Sequence, residues 1–364
     1  MMFDPLSSTP FPNVIKGISR QLPYFFINPL GLHALSMKSK EILVKSRGII
    51  SDFLGCANLE VIFTSSSTES NNLAIKGCLF DKVGSIITTD FEHSSIIHPL
   101  KTLEKQGFRV IYIPTDSSGW VEPQKVKEYM DDDTLLITMG AVCRETATLR
   151  DVKGILKVAK ESKPDILCHF DFWGVYYPDS LVNIKDLDMA SFDSLSLLGP
   201  LGVGFLYIKK GIRLKPLIEG GTQERGLRAG EENLFGIYTL AQSIKVLVEW
   251  REAIESNLKT NDHYLEERMF LPPIFKKGCK APGLFSYGLK ETSMEVLASF
   301  MERGGIFLGY SSPCMVSGLK KRIKQKAGFE DALSFRIPPF TSLKEVRTFL
   351  NQLSNILARV EHTL

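Results

Sequence analysis

Short apolar runs alternate with helix-length segments through the first two thirds of the chain, and this alternation constrains the fold more than any other feature. The runs predict strands at 61–63, 85–89, 109–114, 135–139, 166–171 and 202–208. The intervening segments predict helices near 94–106, 123–130 and 151–162. Strands separated by helices pair in parallel through right-handed crossovers. The sequence therefore predicts an α/β fold with a large, doubly wound, mainly parallel sheet.

The pattern changes after Asn233. Apolar residues then recur at helical spacing and lead into the charged stretch at 250–268, which predicts one long helix leaving the sheet domain. The rest of the chain has shorter elements separated by Pro and Gly, as in a smaller α+β domain. We therefore expect a large domain at 15–250 and a small domain formed by 1–14 with 251–364.

Composition excludes several classes of protein. The chain has 364 residues, 44% of them hydrophobic, and a net charge of +3, so no charge excess indicates a nucleic-acid or membrane partner. No apolar run approaches the roughly 20 residues of a membrane-spanning helix, and the first residues show no basic segment followed by an apolar one. The six cysteines form no C-x-x-C pair, which argues against a disulfide framework or a zinc site. We expect a cytoplasmic protein with reduced thiols.

A hydroxyl-rich segment at 63–72, FTSSSTESNN, follows the first predicted strand. Hydroxyls and backbone N–H groups between a strand and a helix N-terminus suit a phosphate group. Ser and Thr also cap helices for purely structural reasons. Taken alone, the segment leaves both interpretations open.

Residues 63–77 resemble the cysteine desulfurases of the class V aminotransferase group, which are fold-type I enzymes that use pyridoxal 5′-phosphate (PLP). The resemblance continues in order over about residues 3–350. The matching motifs are Asn28-Pro29, Glu92-His93, His169-Phe170-Asp171, Gly199-Pro200-Leu201-Gly202, the segment 220–233, and Phe335-Arg336. The resemblance implies a fold-type I PLP-transferase fold, and it implies a homodimer with sites at the interface.

The resemblance also assigns roles to residues of the cofactor site. Asp171 matches the aspartate that pairs with the pyridinium nitrogen, and His93 matches the histidine that stacks on the ring. Thr68 matches a phosphate donor. Each residue also has a structural alternative: Asp171 could cap a helix or form a salt bridge, and His93 could be a packed histidine.

Further matches concern the substrate. Arg336 matches the arginine that binds the substrate carboxylate, with Asn71 as a second expected substrate-binding residue. Cys314 lies near the position of the cysteine that carries the persulfide sulfur. The alternatives are a domain-interface ion pair for Arg336 and an ordinary thiol for Cys314, whose loop, GYSSPC, departs from the family's S-G-S-A-C.

The chain departs from the family at the decisive position. The family's S-x-H-K reads Asp193-Ser194-Leu195-Ser196 here, so a serine occupies the lysine position. A serine cannot form a Schiff base, and the lysine that moves the α-proton is lost with it. The phosphate-binding Ser and His become Asp193 and Leu195. The Thr that reaches a neighbouring subunit's phosphate becomes Glu231.

The replacements affect the lysine, phosphate, ring-hydroxyl and Gln positions of the cofactor site. At an effective dielectric of about 20, a carboxylate about 4 Å from a phosphate charge opposes binding by roughly 4 kcal/mol. The family's V-N-N-E, whose Asn meets the ring hydroxyl, reads Val142-Cys143-Arg144-Glu145. The Gln after the aspartate is Gly174, and Phe172 and Trp173 add bulk beside the ring position.

Three hypotheses remain. The first is a degenerate cysteine desulfurase that binds PLP without a covalent bond or does not bind it at all. It would act as a binding or regulatory subunit, either as a homodimer or paired with an active relative. The second is a working desulfurase or C–S lyase that binds PLP noncovalently or through another lysine. The third is a PLP-independent persulfide carrier that uses Cys314 and receives sulfur from a partner protein. In a family-like dimer Glu231 would point into the neighbour's pocket, with Arg144 or Arg228 available to neutralise it.

Overall fold

The computed structural model describes residues 1–3, 12–78, 83–290, 292–309 and 323–361. Its main sheet has seven strands: β1 Val61–Thr64, β2 Ser85–Thr89, β3 Arg109–Ile113, β4 Thr134–Gly140, β5 Leu167–Asp171, β6 Met189–Asp193 and β7 Gly204–Ile208. The strand order is β1-β7-β6-β5-β4-β2-β3. β7 runs antiparallel to both of its neighbours, and the other pairs are parallel. The predicted α/β class with a mainly parallel sheet is confirmed.

Helices follow most of the strands. They are α1 Pro12–Gln21, α2 Ala34–Leu54, α3 Ser67–Gly77, α4 Ser94–Glu104, α5 Pro123–Tyr129, α6 Val152–Ser162, α7 Leu234–Glu249, α8 Arg251–Arg268, α9 Met294–Arg303 and a C-terminal helix, Leu343–Glu361. Gly55 ends α2 with a left-handed φ of 66°, a conformation that glycine adopts without a steric penalty. Asn233 caps α7 by accepting a hydrogen bond from the Gly236 N–H.

Two elements differ from the sequence prediction. The long helix expected after Asn233 is broken at Trp250, where φ is −106° and ψ is 16°, so α7 and α8 are separate helices. Strand β6 was not predicted. It has only five residues, MASFD, and they are all buried, so it lacks the alternation that marks a half-exposed strand.

A second, two-stranded sheet pairs β8 Leu284–Leu289 with β9 Asp331–Arg336 in antiparallel register. It has its own apolar core, to which Phe3 from the N-terminus contributes. Helix α8 contacts both cores, since Ile254 and Leu258 pack in the large core and Leu265 packs in the small one. The expected division into 15–250 and 1–14 with 251–364 stays a prediction.

No helix in the described ranges of the chain has the length and apolar character to cross a membrane. No group of three or more His, Cys, Asp or Glu in the same residues could hold a metal ion. The cysteines within these ranges, Cys56, Cys78, Cys143, Cys168 and Cys279, are free thiols.

Candidate functional site

The candidate site lies at one edge of the main sheet, where β4, β5 and β6 end. These strands are parallel neighbours, so their carboxyl ends meet at the same edge. β5 ends at Asp171 and β6 ends at Asp193, and both carboxylates are buried. The connections that leave these strands supply Arg144, Trp173 and Ser196 to the same edge. The sheet topology thus brings together residues that are far apart in the sequence.

Asp171 has a full set of hydrogen bonds. Its Oδ2 accepts from Asn71 Nδ2 at 2.9 Å and from Arg144 Nη2 at 2.9 Å. Its Oδ1 accepts from the backbone N–H of Trp173 at 3.1 Å. Asn71 Nδ2 also donates to Ser95 Oγ at 2.8 Å. The aspartate that the resemblance assigns to a pyridinium nitrogen is therefore paired with a cation of the chain itself.

The Arg144 guanidinium is held on three sides. Besides Asp171, its Nη2 donates to Ser67 Oγ at 3.2 Å, and the guanidinium lies over the Trp173 ring at 4.8 Å from the centroid. A flat guanidinium on an indole face is a favourable cation–π contact. Only 15% of the Arg144 side chain is exposed. Arg144 and Trp173 therefore fill space directly beside Asp171.

Ser196 lies in a single 3-10 turn, Leu195–Leu197, after β6. Its Oγ accepts from the Gly174 N–H at 2.8 Å, and its own N–H donates to Asp193 Oδ1 at 3.2 Å. Ser196 is 2% exposed. The hydroxyl at the lysine position therefore links the turn after β6 to the connection after β5, and it has a structural use of its own.

Arg336, at the end of β9, binds main-chain oxygens. Its Nη2 donates to the Ser196 carbonyl at 2.8 Å and its Nη1 to the Leu195 carbonyl at 3.3 Å. The guanidinium lies over the Tyr176 ring at 4.2 Å from the centroid. Arg336 is 3% exposed. Both terminal nitrogens that would form a fork to a substrate carboxylate thus have protein partners.

Burial raises the pKa of the Asp193 carboxyl, while the Arg144 and Arg336 guanidiniums favour its charged form and the Asp171 carboxylate disfavours it. The edge thus contains two carboxylates and two guanidiniums. Their formal charges sum to zero when all four are ionised. This balance is what allows four ionisable groups to share a buried region.

The hydroxyl-rich segment serves partly as a helix cap. Ser66 Oγ accepts from the Glu69 N–H at 3.3 Å, and Glu69 Oε2 accepts from the Ser65 N–H at 2.8 Å. Thr68 is exposed, and its carbonyl accepts from Asn72 Nδ2 at 2.9 Å. The capping interpretation of this segment therefore accounts for several of its donors.

His93 is half-buried and caps α4. Its Nδ1 is hydrogen-bonded to Ser95 Oγ at 2.7 Å and accepts from the Ser95 N–H at 3.2 Å. Since Ser95 is also bonded to Asn71, His93 is linked to Asp171 through two side chains. Leu195 is half-buried. Cys314 lies outside the described residues.

Glu231 is exposed, and within the chain neither expected arginine neutralises its carboxylate. Arg228 Nη1 donates to the Glu231 backbone carbonyl at 3.2 Å, while its Nε pairs with Glu69 Oε1 at 3.2 Å. Arg144 pairs with Asp171 instead. The expectation that Arg144 or Arg228 neutralises Glu231 concerns a dimer, in which Glu231 would enter the neighbour's pocket, and it stays a prediction.

The sequence indicated Arg144 as the replacement of an asparagine and as a possible partner of Glu231, but it did not indicate the pairing with Asp171, and it gave no sign of Tyr176. A charge comparison between the motifs would have connected Arg144 with the site. The change from Asn to Arg144 adds a positive charge and the change from Ser to Asp193 adds a negative one, so the two replacements balance each other. Tyr176 had no comparable signal, since its contact with Arg336 joins segments 160 residues apart.

The described side chains do not suit PLP held in the family's way. Asp171, which would receive the ring nitrogen, already has a cationic partner. Asp193 places a carboxylate where the family has a phosphate-binding serine, and no amine is available at residue 196. No chemical step through PLP is therefore assigned to these residues.

Known proteins resemble this chain in sequence. The sequence model of the family described as aminotransferase class-V matches residues 2–327. A protein of Dictyoglomus turgidum, named cysteine desulfurase IscS, is 32% identical over 330 residues, covering 87% of this chain and 82% of its own length. A protein of the same name from Methanosarcina thermophila is 33% identical over 314 residues, covering 83% and 77%.

Solved structures of similar proteins have the same fold as this chain. A structure described as a NifS-like protein superposes with a TM-score of 0.86 at 28% identity, covering 98% of this chain and 99% of its own. A second, described as SspA in complex with cysteine, superposes with a TM-score of 0.77 at 26% identity, covering 94% and 99%. The match of the family model over most of the sequence, together with these relatives, shows that the chain belongs to the cysteine desulfurase family of class-V aminotransferases.

Proposed function

We propose that this protein is a member of the cysteine desulfurase family that does not release sulfur from cysteine and acts instead as a binding or regulatory subunit. The observation that carries the proposal is Ser196. At the lysine position its hydroxyl is bonded to the Gly174 N–H at 2.8 Å. A hydroxyl at this position offers neither the amine nor the base that the family's reaction requires.

The contacts of Arg336 support the same proposal. A substrate carboxylate would have to compete with two carbonyl groups for the terminal nitrogens of a guanidinium that is 3% exposed. Leaving buried carbonyl groups without donors costs free energy, so the exchange is unfavourable. The carbonyl groups of Leu195 and Ser196 thus compete with the carboxylate of a cysteine substrate for Arg336.

Exposed apolar side chains between α1 and the start of α2 support the subunit role. Those more than 40% exposed in this segment are Leu22, Phe26, Leu30, Leu32, Leu35 and Met37. A concentration of this kind is typical of a protein–protein contact surface. We propose that this surface pairs with a second copy or with an active relative, in the cytoplasm.

The test is a sulfide assay on the purified protein with PLP and cysteine. We expect a colourless protein, no pyridoxyl group fixed to it by borohydride reduction, and no sulfide above a protein-free blank. An active family member assayed in parallel is the positive control. Sulfide production that is lost in Arg336→Ala would contradict the proposal and favour the enzyme alternative.

The same preparation distinguishes the carrier alternative. After incubation with an active relative and cysteine, mass spectrometry would show a sulfur increment on Cys314 if it accepts a persulfide, and Cys314→Ser would lack it. The proposal predicts no increment. It predicts instead a dimer in sedimentation, alone or with the active relative, which Leu32→Asp and Phe26→Asp weaken.

A further inference from the structure

We infer that Arg144 is an internal substitute for the cofactor's ring cation, so that its guanidinium excludes a pyridinium from Asp171 independently of the missing lysine. The inference rests on the proposed function, and it concerns how the same site is kept closed. Two observations carry it: the contacts of Arg144 and the charge balance of the edge.

The contacts reproduce what the ring would need. A bound pyridinium presents a flat cation with one N–H directed at a carboxylate. The Arg144 guanidinium is also flat and cationic, and it directs an N–H to Asp171 Oδ2 at 2.9 Å. It lies against an aromatic face, that of Trp173. The two cations would compete for one carboxylate oxygen.

The competition is unequal because Arg144 is attached to the chain. Its guanidinium is already positioned by Ser67 and Trp173, so pairing with Asp171 requires no association from solution. A free ligand would lose translational and rotational freedom on binding. It would also have to displace a charge-assisted hydrogen bond.

Charge balance indicates which substitutions would open the site. Removing Arg144 alone leaves Asp171 and Asp193 with only Arg336 to balance them, and an uncompensated buried charge is destabilising. Removing Arg144 and Asp193 together takes away one charge of each sign. The variant Arg144→Asn/Asp193→Ser restores the family's residue types at both positions and keeps the edge neutral.

Two consequences follow. Ser196→Lys alone does not give a PLP protein, because Arg144 still occupies the position beside Asp171. Arg144→Asn/Asp193→Ser binds the cofactor even without a lysine. A matched control is available in the exposed pair formed by Arg251 and Asp179, whose nitrogen and oxygen are 2.6 Å apart. Arg251→Asn/Asp179→Ser makes the same chemical changes away from the site.

The experiment is equilibrium dialysis and tryptophan-fluorescence titration of the full chain with PLP, pyridoxamine 5′-phosphate and pyridoxamine. We expect Arg144→Asn/Asp193→Ser to bind the two phosphorylated probes at least about tenfold more tightly than the wild type, Ser196→Lys or the control variant, since a buried competing cation is gone. Pyridoxamine, which lacks the phosphate, should also bind more tightly to the double variant than to the other proteins, but with a smaller increase in affinity. Trp173→Phe in the double variant should remove most of the fluorescence change.

The outcomes separate the inference from the proposed function. A folded double variant that binds no better than the wild type overturns the inference and leaves the proposed function standing. A wild-type protein that binds PLP as tightly as the double variant also overturns it, and sulfide release by that protein would overturn the proposed function as well. If the double variant does not fold, Arg144→Asn/Asp193→Asn, which also keeps the edge neutral and leaves the Asn71 donor to Asp171 in place, gives the same comparison.

Discussion

Two arginines on one connection, the segment from the end of β4 to the start of α6, have opposite relations to the site. Arg150 is 2% exposed and pairs with Glu92 at 2.5 Å. It also donates to the carbonyls of Gly119, Gly140 and Phe91. Arg144 is partly exposed, and its partners are residues to which the family resemblance gives a cofactor role or their neighbours.

The difference shows which part of the edge has been retained. The contacts of Arg150 join main-chain segments of three connections, so they hold the edge in shape whatever lies in it. The contacts of Arg144 lie where the family resemblance places the cofactor, and under the further inference its guanidinium takes the position of the ring cation.

The largest expected effect is that of Arg150→Met. It removes the buried cation that pairs with Glu92, which keeps the Thr89 hydroxyl and the Gly140 N–H as donors. It also removes one donor from each of three buried carbonyls, so we expect a loss of about 3–5 kcal/mol in the free energy of unfolding. Urea unfolding measures it. Arg150→Met/Glu92→Gln should recover part of the loss. A single variant within about 1 kcal/mol of the wild type would remove the distinction between the two arginines.

The next largest effect is a dependence of stability on pH, and it comes from a buried histidine of the main sheet. Burial lowers the pKa of His169 to about 4, and the ring is held neutral between Thr138 and Ser191. The unfolded chain takes up a proton near pH 6.5, so stability falls as the pH drops from about 6.5 to about 4, by up to about 3 kcal/mol.

His169→Gln should remove that part of the acid sensitivity, as seen in urea midpoints measured across this range. The exposed His263, with 73% of its side chain in solvent, provides the control, since His263→Gln should leave the slope unchanged. Equal slopes for the wild type and His169→Gln would contradict a neutral, buried His169.

The smallest effect is that of Arg144→Asn on stability. Asp171 keeps two donors, Asn71 and the Trp173 N–H, so we expect a loss of only about 1–2 kcal/mol. The urea experiment used for Arg150 measures it. Arg144→Lys, which keeps the charge, should lose less. A loss as large as that of Arg150→Met would mean that Arg144, like Arg150, holds the sheet edge in shape.

Much of the fold could be predicted from local patterns. The strand at 85–89 and the helices near 94–106 and 151–162 are observed with small changes at their ends, because hydrophobic periodicity is a local property. The strand order, with β7 inserted antiparallel between β1 and β6, could not be predicted in the same way. It depends on contacts between segments that are far apart in the chain.

The site shows the same division. The serine at 196 and the acid at 193 could be found by comparing motifs residue by residue. The partners of Arg144 and Arg336 could not be found, since their hydrogen bonds cross 27 and 140 residues. Comparison of motifs shows which residues differ from the family. The hydrogen-bond partners of those residues can be seen only in the folded structure.

The hydrogen bonds of Arg336 join the small sheet to the large one, since β9 carries the arginine and the turn after β6 supplies the carbonyls. These two hydrogen bonds connect the sheets without any bound substrate. Any change in the relative position of the two sheets would therefore have to break them first.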